Sequence, residues 1–253
     1  MKTAIRKCSS MLSKKVLKDI QSLGLKKHRD ETGLFIAEGP KMVDELLTLI
    51  PAQIEAIYAT SEWESRQAII SNIIDISEIE LEKISQLKTP NQVAAVIKQF
   101  KSIRPEAGGF TLYLDAIQDP GNFGTIIRIA DWFGIKNIVC SSGCADLYNP
   151  KVVQATMASI ARVNVFYDEG ESWLHEQQQT IYAASLHGKP LSSFSKTEEG
   201  VLIIGNESKG IRQSFIGIAA NHITIPKRGE AESLNAAVAA GIILSHLLPN
   251  GNV

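Results

Sequence analysis

The side chains best suited to chemistry occur in three short polar clusters, each placed directly after an apolar segment that is predicted to be a β-strand. In the first cluster an amide, Asn122, precedes a guanidinium, Arg128, in a stretch that is otherwise rich in isoleucine and glycine. An arginine among apolar neighbours must reach a polar partner. That partner is either an acidic side chain, Asp115 or Asp131, or a phosphate that takes the fork of guanidinium donors.

The second cluster follows the fully apolar segment 201–204 and reads Gly205-Asn206-Glu207-Ser208-Lys209-Gly210. Glycines allow a backbone to approach a ligand closely. The spacing fits neither the phosphate loop of ATP-binding proteins nor the Gly-x-Gly-x-x-Gly fingerprint of NAD-binding proteins. The cluster therefore favours a nucleoside-type cofactor that has no pyrophosphate.

The third cluster lies where the last predicted helix begins. A predicted strand over residues 223–225 stops at Pro226, because proline cannot donate to a sheet. Ser233, Leu234 and Asn235 then open a helix made almost entirely of small and aliphatic side chains. A helix that is apolar all round is expected to be buried. Ser233 is either the N-cap of this helix or a functional group.

Alternating strands and helices must position these clusters. From residue 111 to the C-terminus the apolar patterns alternate between the two types, which predicts a parallel sheet with helices on both faces. Ligands bind at the carboxyl ends of the strands in such sheets, and all three clusters lie at predicted strand ends. The turn 119–124 is predicted to lead into a helix over residues 125–133, with Asn122 in the turn and Arg128 in the helix.

The first hundred residues predict a smaller α/β unit with a charged loop over residues 26–33, followed by a glycine- and proline-containing linker over residues 101–109. This unit has no nucleophile–base pair and is expected to bind rather than to catalyse. Residues 1–29 contain nine Lys and Arg against one acidic residue, although the whole chain has a net charge of only −1. The excess predicts a polyanionic partner, or else a solvated helix surface.

The composition sets limits on the class of protein. With 253 residues, 44% of them hydrophobic, the chain is expected to be globular and to have no membrane span. Three cysteines, an odd number, argue against a disulfide framework and fit a reducing cytoplasm. Cys140 and Cys144 lack a second ligand pair at metal-binding spacing, so we expect inert thiols and no metal.

Three segments, in their order along the chain, resemble the motifs of a known family. They are residues 119–131, residues 205–210 and residues 225–239. Together they resemble the three motifs of the SpoU (TrmH-type) RNA ribose 2′-O-methyltransferases, which belong to the SPOUT class. Residues 35–43 and 87–93 in turn resemble the L30e-like RNA-binding domain that such enzymes often carry.

The resemblance implies a two-domain α/β fold, with an L30e-like domain over residues 1–100, a linker over 101–109 and a SPOUT domain over 110–253 that contains a deep trefoil knot. It implies that S-adenosylmethionine binds in this knot, and that two copies form a homodimer through the C-terminal domain. By position, the resemblance implies that backbone atoms line the cofactor pocket at Leu186, Gly205, Ile225 and Leu234, and that Asn206, Gly210 and Pro226 shape it.

Five residues match the family's catalytic positions: Asn122, Arg128, Glu207, Ser233 and Asn235. Because a guanidinium stays protonated at ordinary pH, Arg128 is expected to hold the target phosphate and to lower the pKa of the attacking ribose hydroxyl. The proton would pass to Ser233, to a phosphate or to water. Glu207 is expected to orient Arg128 or Asn122, or else to be a solvent-exposed loop acid. Ala237 stands where many family members have a serine.

The identity of the substrate is less constrained by the sequence. Ribosomal RNA is preferred because the two-domain layout is common among enzymes that modify it, while transfer RNA remains open. RNA is favoured over DNA because only RNA has a 2′-hydroxyl. Two other classes stay open, an RNA-binding protein that has the fold without catalysis and a base methyltransferase of the same knot class.

Overall fold

The computed structural model describes residues 5–7, 11–63 and 71–249. Their contacts form two compact units. The first takes in the described residues up to Lys101 together with the segment Asp146–Ala161, and the second takes in Ser102–Ala145 and the described residues from Arg162 onward. The predicted division into a domain over residues 1–100, a linker over 101–109 and a domain over 110–253 stays a prediction.

The first unit is built on a five-stranded sheet in the order β1-β4-β3-β5-β2. Strands β2 and β3 pair with β5 in antiparallel fashion, while β4 pairs in parallel with both β1 and β3. Its elements before the linker are β1 (Ile5–Lys7), α1 (Lys14–Ser22), α2 (Lys26–Thr32), β2 (Leu34–Glu38), α3 (Pro40–Leu49), β3 (Ile54–Ala59), β4 (Ser71–Asp75), α4 (Glu78–Ile84) and β5 (Val93–Lys98).

The charged loop predicted over residues 26–33 is wrong, because α2 occupies most of it. Two ion pairs at helical spacing, Lys26–Asp30 and Lys27–Glu31, lie on its exposed surface. Gly33 ends the helix with a φ of +65°, in the left-handed conformation that glycine adopts without steric cost. Ion pairs at helical spacing and a terminal glycine are signals of a helix. The many charged residues in this segment led to the prediction of a loop instead.

The second unit contains the six-stranded sheet, in the order β11-β9-β10-β6-β7-β8. Every neighbouring pair is parallel, which confirms the predicted parallel α/β sheet. The elements from residue 110 onward are β6 (Phe110–Asp115), α5 (Pro120–Trp132), β7 (Asn137–Cys140), α6 (Pro150–Thr156), β8 (Asn164–Tyr167), β9 (Ile181–Pro190), β10 (Gly200–Gly205), α7 (Gln213–Ile216), β11 (Asn221–Thr224) and α8 (Ala236–Leu247). The helix α6 belongs to the first unit.

The central strands of this sheet are buried on both faces, as their continuous apolar sequences require. All six residues of β6 are buried, and helices α5 and α8 pack against each other. Within one copy of the chain the last helix is buried on one face only, since Val238 is 50% exposed and Ile242 is 39% exposed. One face of α8 packs into the core through Ala240, Ile243 and Leu244, and the opposite face is open.

The segment Asp146–Ala161 is attached to the first unit by both rings and charges. The ring of Tyr148 lies 4.9 Å from that of Phe35, and its hydroxyl accepts a hydrogen bond from the backbone N–H of Phe100 at 2.7 Å. Arg29, which is only 2% exposed, forms an ion pair with Asp146. Residues far along the chain therefore complete the packing of the first unit.

Candidate functional site

The three polar clusters lie at one edge of the six-stranded sheet. The first follows β6, the second follows β10 and the third follows β11. Because all strands of this sheet are parallel, their carboxyl ends meet at the same edge. The predicted convergence of the clusters is therefore confirmed at the level of the backbone.

Asn122 joins the three clusters through its side-chain amide. Its Nδ2 donates to Oε1 of Glu207 at 2.6 Å, and its Oδ1 accepts from Nδ2 of Asn235 at 2.7 Å. Both polar atoms of the Asn122 amide therefore have a partner. The carboxylate of Glu207 accepts from its nitrogen, and the amide nitrogen of Asn235 donates to its oxygen. Glu207 thus contacts Asn122, one of the two partners that the sequence suggested for it.

Helix α5 begins five residues earlier than predicted, and this places Asn122 in its first turn rather than in a preceding loop. Asp119 is the N-cap and accepts from the backbone N–H of Asn122 at 2.7 Å, while Pro120 occupies the first helical position. Proline is well suited to that position, since its missing N–H would have no partner there. The Asp-Pro pair was the sequence signal for this start.

Helix α8 is capped by Asn235, so the prediction that Ser233 opens this helix is wrong. Oδ1 of Asn235 accepts from the backbone N–H groups of Ala237 and Val238 at 3.0 and 3.2 Å. Asparagine caps helices as well as serine does, and here it uses its oxygen for the cap and its nitrogen for Asn122. Ser233 lies outside the helix and is exposed.

Arg128 is exposed, and no acidic side chain in the described part of the chain forms an ion pair with it. The alternative of a buried pair with Asp115 or Asp131 is wrong, because Arg212 binds Asp115 and Arg162 binds Asp131. Six residues separate Arg128 from Asn122 on the same helix, which corresponds to about 9 Å along its axis. Arg128 is thus an exposed guanidinium on the same helix as Asn122, nearly two turns further along.

The turn after β10 is closed by its own backbone. Asn206 and Gly210 exchange two backbone hydrogen bonds, at 3.1 and 2.8 Å. The side chain of Asn206 accepts from the N–H groups of Ser208 and Lys209, and its Nδ2 donates to the carbonyl of Ala116 at 2.8 Å. A Cβ atom on Gly205 would overlap the backbone of Gly210, so this glycine is required by the turn itself.

The remaining residues predicted to hold a cofactor expose apolar side chains, and Leu186 lies inside β9 because this strand extends beyond its predicted end at residue 185. Leu186 is 65% exposed and Leu234 is 46% exposed, whereas Ile225 is half-buried and Pro226 is exposed. Leu186 lies where β9 leaves its register with β11, since Ala183 pairs with His222 and Lys189 pairs with Ile223. Exposed leucines beside free backbone are suited to contact a nucleoside base.

A charged cluster at the same edge was missed by the sequence reasoning. Asp115, fully buried at the end of β6, is bound by Arg212, which also pairs with Glu171 at 2.8 Å. The hydrogen bond from Arg212 lowers the pKa of Glu171 below its ordinary value. An aspartate that ends an apolar strand was the available signal, but its partner lies 97 residues away.

A groove of about 380 Å³ runs between α5 and α8 beside Asn122. It is lined by Asn122, Thr125, Ile129, Asn235, Ala237, Val238, Gly241 and Ile242. Trp132, at the end of α5, is 85% exposed. The outer surfaces of the two helices therefore expose large apolar side chains, which is typical of an interaction surface.

Neither a metal site nor a membrane span is found in the described residues. No group of three or more His, Cys, Asp or Glu side chains in residues 5–7, 11–63 and 71–249 could hold a metal ion. None of the helices in this part of the chain combines the length and the apolar character that crossing a bilayer demands.

Comparison with known families decides the assignment. Residues 109–245, more than half of the chain, match the SpoU rRNA Methylase family. The chain belongs to this family. Residues 14–95 of this SpoU protein match the MRM3-like substrate binding domain. The resemblance drawn from the three motifs is confirmed, and residues 14–95 are similar to a substrate-binding domain.

Individual relatives cover nearly the whole SpoU chain. It is 32% identical over 237 residues to the 23S rRNA (guanosine(2553)-2′-O)-methyltransferase RlmP of Bacillus subtilis, which covers 91% of this chain and 95% of that protein. A TrmH-family structure from Porphyromonas gingivalis superposes with a TM-score of 0.83 at 33% identity, covering 93% of this chain and 98% of that one. The structure of an AdoMet-bound rRNA methyltransferase from Sinorhizobium meliloti superposes with a TM-score of 0.79 at 30% identity, covering 95% and 96%.

Proposed function

We propose that this SpoU protein transfers a methyl group from S-adenosylmethionine to a ribose 2′-hydroxyl of ribosomal RNA. The observation that carries the proposal is the hydrogen-bonded series Glu207–Asn122–Asn235, which joins three motifs at one sheet edge. Its central residue, Asn122, lies on the helix that also carries the exposed Arg128. The names of the relatives point to the same reaction, since RlmP is a 23S rRNA 2′-O-methyltransferase.

The residues at the strand ends fit a nucleoside-type cofactor. When bound, S-adenosylmethionine supplies an electrophilic methyl group on a sulfonium. We assign the cofactor contacts to Leu186, Gly205, Asn206, Gly210, Ile225, Pro226 and Leu234. Two of these, Leu186 and Leu234, expose apolar side chains that a purine ring would cover. The tight turn at Gly205 brings backbone donors and acceptors to the same edge.

Arg128 is assigned to the phosphate of the target nucleotide. A guanidinium presents a planar fork to phosphate oxygens and keeps its charge at any ordinary pH, so it acts as an anchor and not as a base. Its charge also favours the developing alkoxide on the ribose. Ser233, exposed two residues before Asn235, is available to accept the proton, as are the phosphate and water.

Asn122, Glu207 and Asn235 are assigned to hold this geometry. Positioning contributes much of the catalysis when the methyl donor is already activated by charge. Glu207 fixes the amide of Asn122 from one side and Asn235 fixes it from the other. The start of α5, and with it the approach of Arg128, is thereby set relative to the turn after β10.

The first unit is proposed to bind the RNA substrate, with the modules divided as residues 1–100, 101–109 and 110–253. Lys14, Lys15 and Lys18 are exposed on α1, where they are available to phosphates. The match of residues 14–95 to a substrate-binding domain supports this role. Ribosomal RNA as substrate also favours a cytoplasmic location.

We also propose that two copies form a homodimer through the open faces of α5 and α8, and that the C-terminal domain contains the trefoil knot of the SPOUT class. Exposed Trp132, Val238 and Ile242 support the first proposal, because a twofold partner would cover them. An Ile242→Glu protein is expected to sediment as a monomer. The matched control Ile79→Glu, at an exposed isoleucine of the first unit, is expected to leave the mass unchanged. A wild-type monomer at micromolar concentration would contradict the dimer.

The decisive experiment is the transfer of labelled methyl to total RNA from a strain that lacks the protein, followed by mapping of the product. Label on a ribose of ribosomal RNA is the expected result. Label on a base would identify a base methyltransferase, and label on transfer RNA would change the substrate. Tight cofactor binding without any methyl transfer would indicate an RNA-binding protein that has the fold but no catalytic activity.

The role of Arg128 is tested in the same assay. Arg128→Lys keeps the charge but loses the fork, and it is expected to lower kcat/KM by about tenfold or more. The control is Arg104→Lys, at an arginine that is exposed and pairs with Glu176. Near-normal turnover of Arg128→Lys would contradict phosphate anchoring by a fork.

A further inference from the structure

A buried polar network lies directly beneath the proposed site. At its centre is Asp115, fully buried at the carboxyl end of β6. Its carboxylate accepts from the backbone N–H of Arg212 at 2.7 Å, from Nε of Arg212 at 2.8 Å and from the hydroxyl of Ser141 at 3.0 Å. Both carboxylate oxygens are thus committed to named donors.

Arg212 links Asp115 to the turn after β10. Besides Asp115 its guanidinium binds Glu171, at 3.0 and 2.8 Å, and it lies 4.5 Å from the ring centre of Phe215. Arg212 follows the turn-closing Gly210 by two residues, and its own backbone N–H is bound to Asp115. The end of the Asn206–Gly210 turn is therefore fixed to the end of β6.

Ser141 carries the network to the start of the first cluster. Its hydroxyl oxygen accepts from the backbone N–H of Ala116 at 3.0 Å. Ala116 has a φ of +54°, a left-handed conformation that is unfavourable for residues other than glycine. The carbonyl of Ala116 in turn accepts from Nδ2 of Asn206 at 2.8 Å. A strained residue held by Ser141 thus presents the acceptor that orients Asn206.

We propose that Arg212, Asp115 and Ser141 are positioning residues for methyl transfer, which fix the Asn206–Gly210 turn and Ala116 so that Glu207 meets Asn122. The inference rests on the proposed function and assigns new residues to it. None of the three needs to touch the substrate. They act through Asn206, whose next residue, Glu207, binds Asn122 at 2.6 Å.

Stability alone does not account for this arrangement. A fully buried carboxylate and a left-handed alanine both cost free energy, and a pair of apolar residues would pack such a site at least as well. Strain of this kind persists where the surroundings hold it for a purpose. Two branches of the network lead to the proposed site, one through Arg212 to the Asn206–Gly210 turn and one through Ser141 and Ala116 to Asn206.

The test compares Arg212→Lys and Ser141→Ala with the wild-type protein. We measure kcat and KM for RNA in the methyl-transfer assay, the Kd of S-adenosylmethionine by calorimetry in the absence of RNA, and the thermal unfolding midpoint. Each variant is expected to lose about tenfold in kcat, while its KM for RNA stays within about twofold of the wild-type value. The reason is that a misplaced Asn206–Gly210 turn reduces the stabilisation of the transition state more than it reduces RNA binding. The Kd of the cofactor is expected to rise about fivefold, since the turn carries its contacts.

The matched control is Arg104→Lys. Arg104 pairs with Glu176 at 2.8 Å in the same unit and is about as exposed as Arg212, and no hydrogen bond in the described residues joins this pair to the Asn206–Gly210 turn. It is expected to leave kcat and cofactor affinity unchanged. If Arg212→Lys only lowers the midpoint and its folded fraction keeps the wild-type kcat and Kd, the network is structural and the proposal is overturned.

A second variant tests the link through Ala116. Glycine adopts a φ of +54° without steric cost, so Ala116→Gly in the Ser141→Ala background is expected to recover at least half of the lost kcat. A Ser141→Ala protein that Ala116→Gly does not improve would overturn this step. If the wild-type protein transfers no methyl at all, the proposed function fails, whereas the calorimetric comparison still decides whether the network shapes the cofactor turn.

Discussion

Both units bury charged side chains, but they connect them differently. In the first unit Arg29, Glu38 and Glu80 are buried, and each binds a distant segment of that unit. Arg29 pairs with the carboxylate of Asp146, while Glu38 accepts from the backbone N–H of Gln86 and Glu80 accepts from that of Leu12. In the second unit the buried Asp115 bonds to Arg212 and Ser141, whose contacts continue to the sheet edge.

The difference separates two uses of a buried charge. A buried charged side chain that binds only another segment of the same unit, away from any proposed site, fixes one segment against another, and its loss should appear in the free energy of unfolding. A side chain that continues through other side chains to exposed groups fixes the geometry of those groups, and its loss should appear in the rate. Substitutions in the two units should therefore have different main effects.

The largest effect is expected for Arg29→Ala. Removing one partner of a buried ion pair leaves Asp146 uncompensated, so the free energy of unfolding should fall by about 3–5 kcal/mol. Urea denaturation measures the loss, and the affinity of the folded protein for S-adenosylmethionine should not change. Lys26→Ala, which removes the exposed pair with Asp30, should cost less than about 0.5 kcal/mol. Equal losses in the two variants would show that the buried pair stabilises the protein no more than the exposed pair does, and a changed cofactor affinity of Arg29→Ala would contradict the contrast between the units.

Next in size is Asn122→Ala. It removes the amide that joins Glu207 to Asn235, and the methyl-transfer rate should fall about 100-fold because the clusters lose their common alignment. The free energy of unfolding should change by less than about 1 kcal/mol, since Asn122 is only half-buried. The same substitution at Asn149, the N-cap of α6, should leave the rate unchanged. A full rate in Asn122→Ala would contradict the assigned role.

A smaller effect is expected for Asn235→Asp, which separates two functions of one side chain. Aspartate caps a helix as well as asparagine does, so α8 should keep its stability within about 0.5 kcal/mol. The carboxylate cannot donate to Oδ1 of Asn122, and the rate should fall about tenfold. Circular dichroism and single-turnover transfer measure the two quantities. Loss of the rate only in proportion to unfolded protein would assign Asn235 to capping alone.

The smallest effect, about 1 kcal/mol, is expected for Glu80→Gln in the first unit. Glu80 accepts from the backbone N–H groups of Ser77 and Leu12, and these bonds lower its pKa below the ordinary value. A lowered pKa in the folded state stabilises the protein above the unfolded pKa of about 4.3, and this stabilisation is lost as the pH falls through the folded value. The difference between wild type and variant should therefore be largest near neutral pH and should shrink in acid.

The control for this measurement is Glu82→Gln, at an exposed position of the same helix. It removes a carboxylate of equal charge that has no capping role, and it should cost less than about 0.5 kcal/mol at any pH. A Glu80→Gln loss that persists unchanged at low pH would show that the carboxylate charge is not the stabilising feature.

The sequence predicted the parallel sheet and the meeting of three clusters, because apolar strands followed by polar turns are local patterns. It misplaced the starts of α5 and α8, since the choice among neighbouring capping residues depends on small differences in free energy. Asp119 and Asn235 are the N-caps of these helices, because the side chain of each accepts a hydrogen bond from a backbone N–H in the first turn. Arg212 was missed because its partners Asp115 and Glu171 lie 97 and 41 residues away.

The attachment of Asp146–Ala161 to the first unit has a consequence for biosynthesis. A ribosome that has just synthesised Lys101 has not yet made Tyr148, which covers Phe35, or Asp146, which neutralises Arg29. The first unit is therefore complete only after β6, α5 and β7 of the other unit have been translated. Until then Phe35 lacks the ring that packs against it and Arg29 lacks its carboxylate partner, so the first unit cannot complete its packing before part of the second unit has been synthesised.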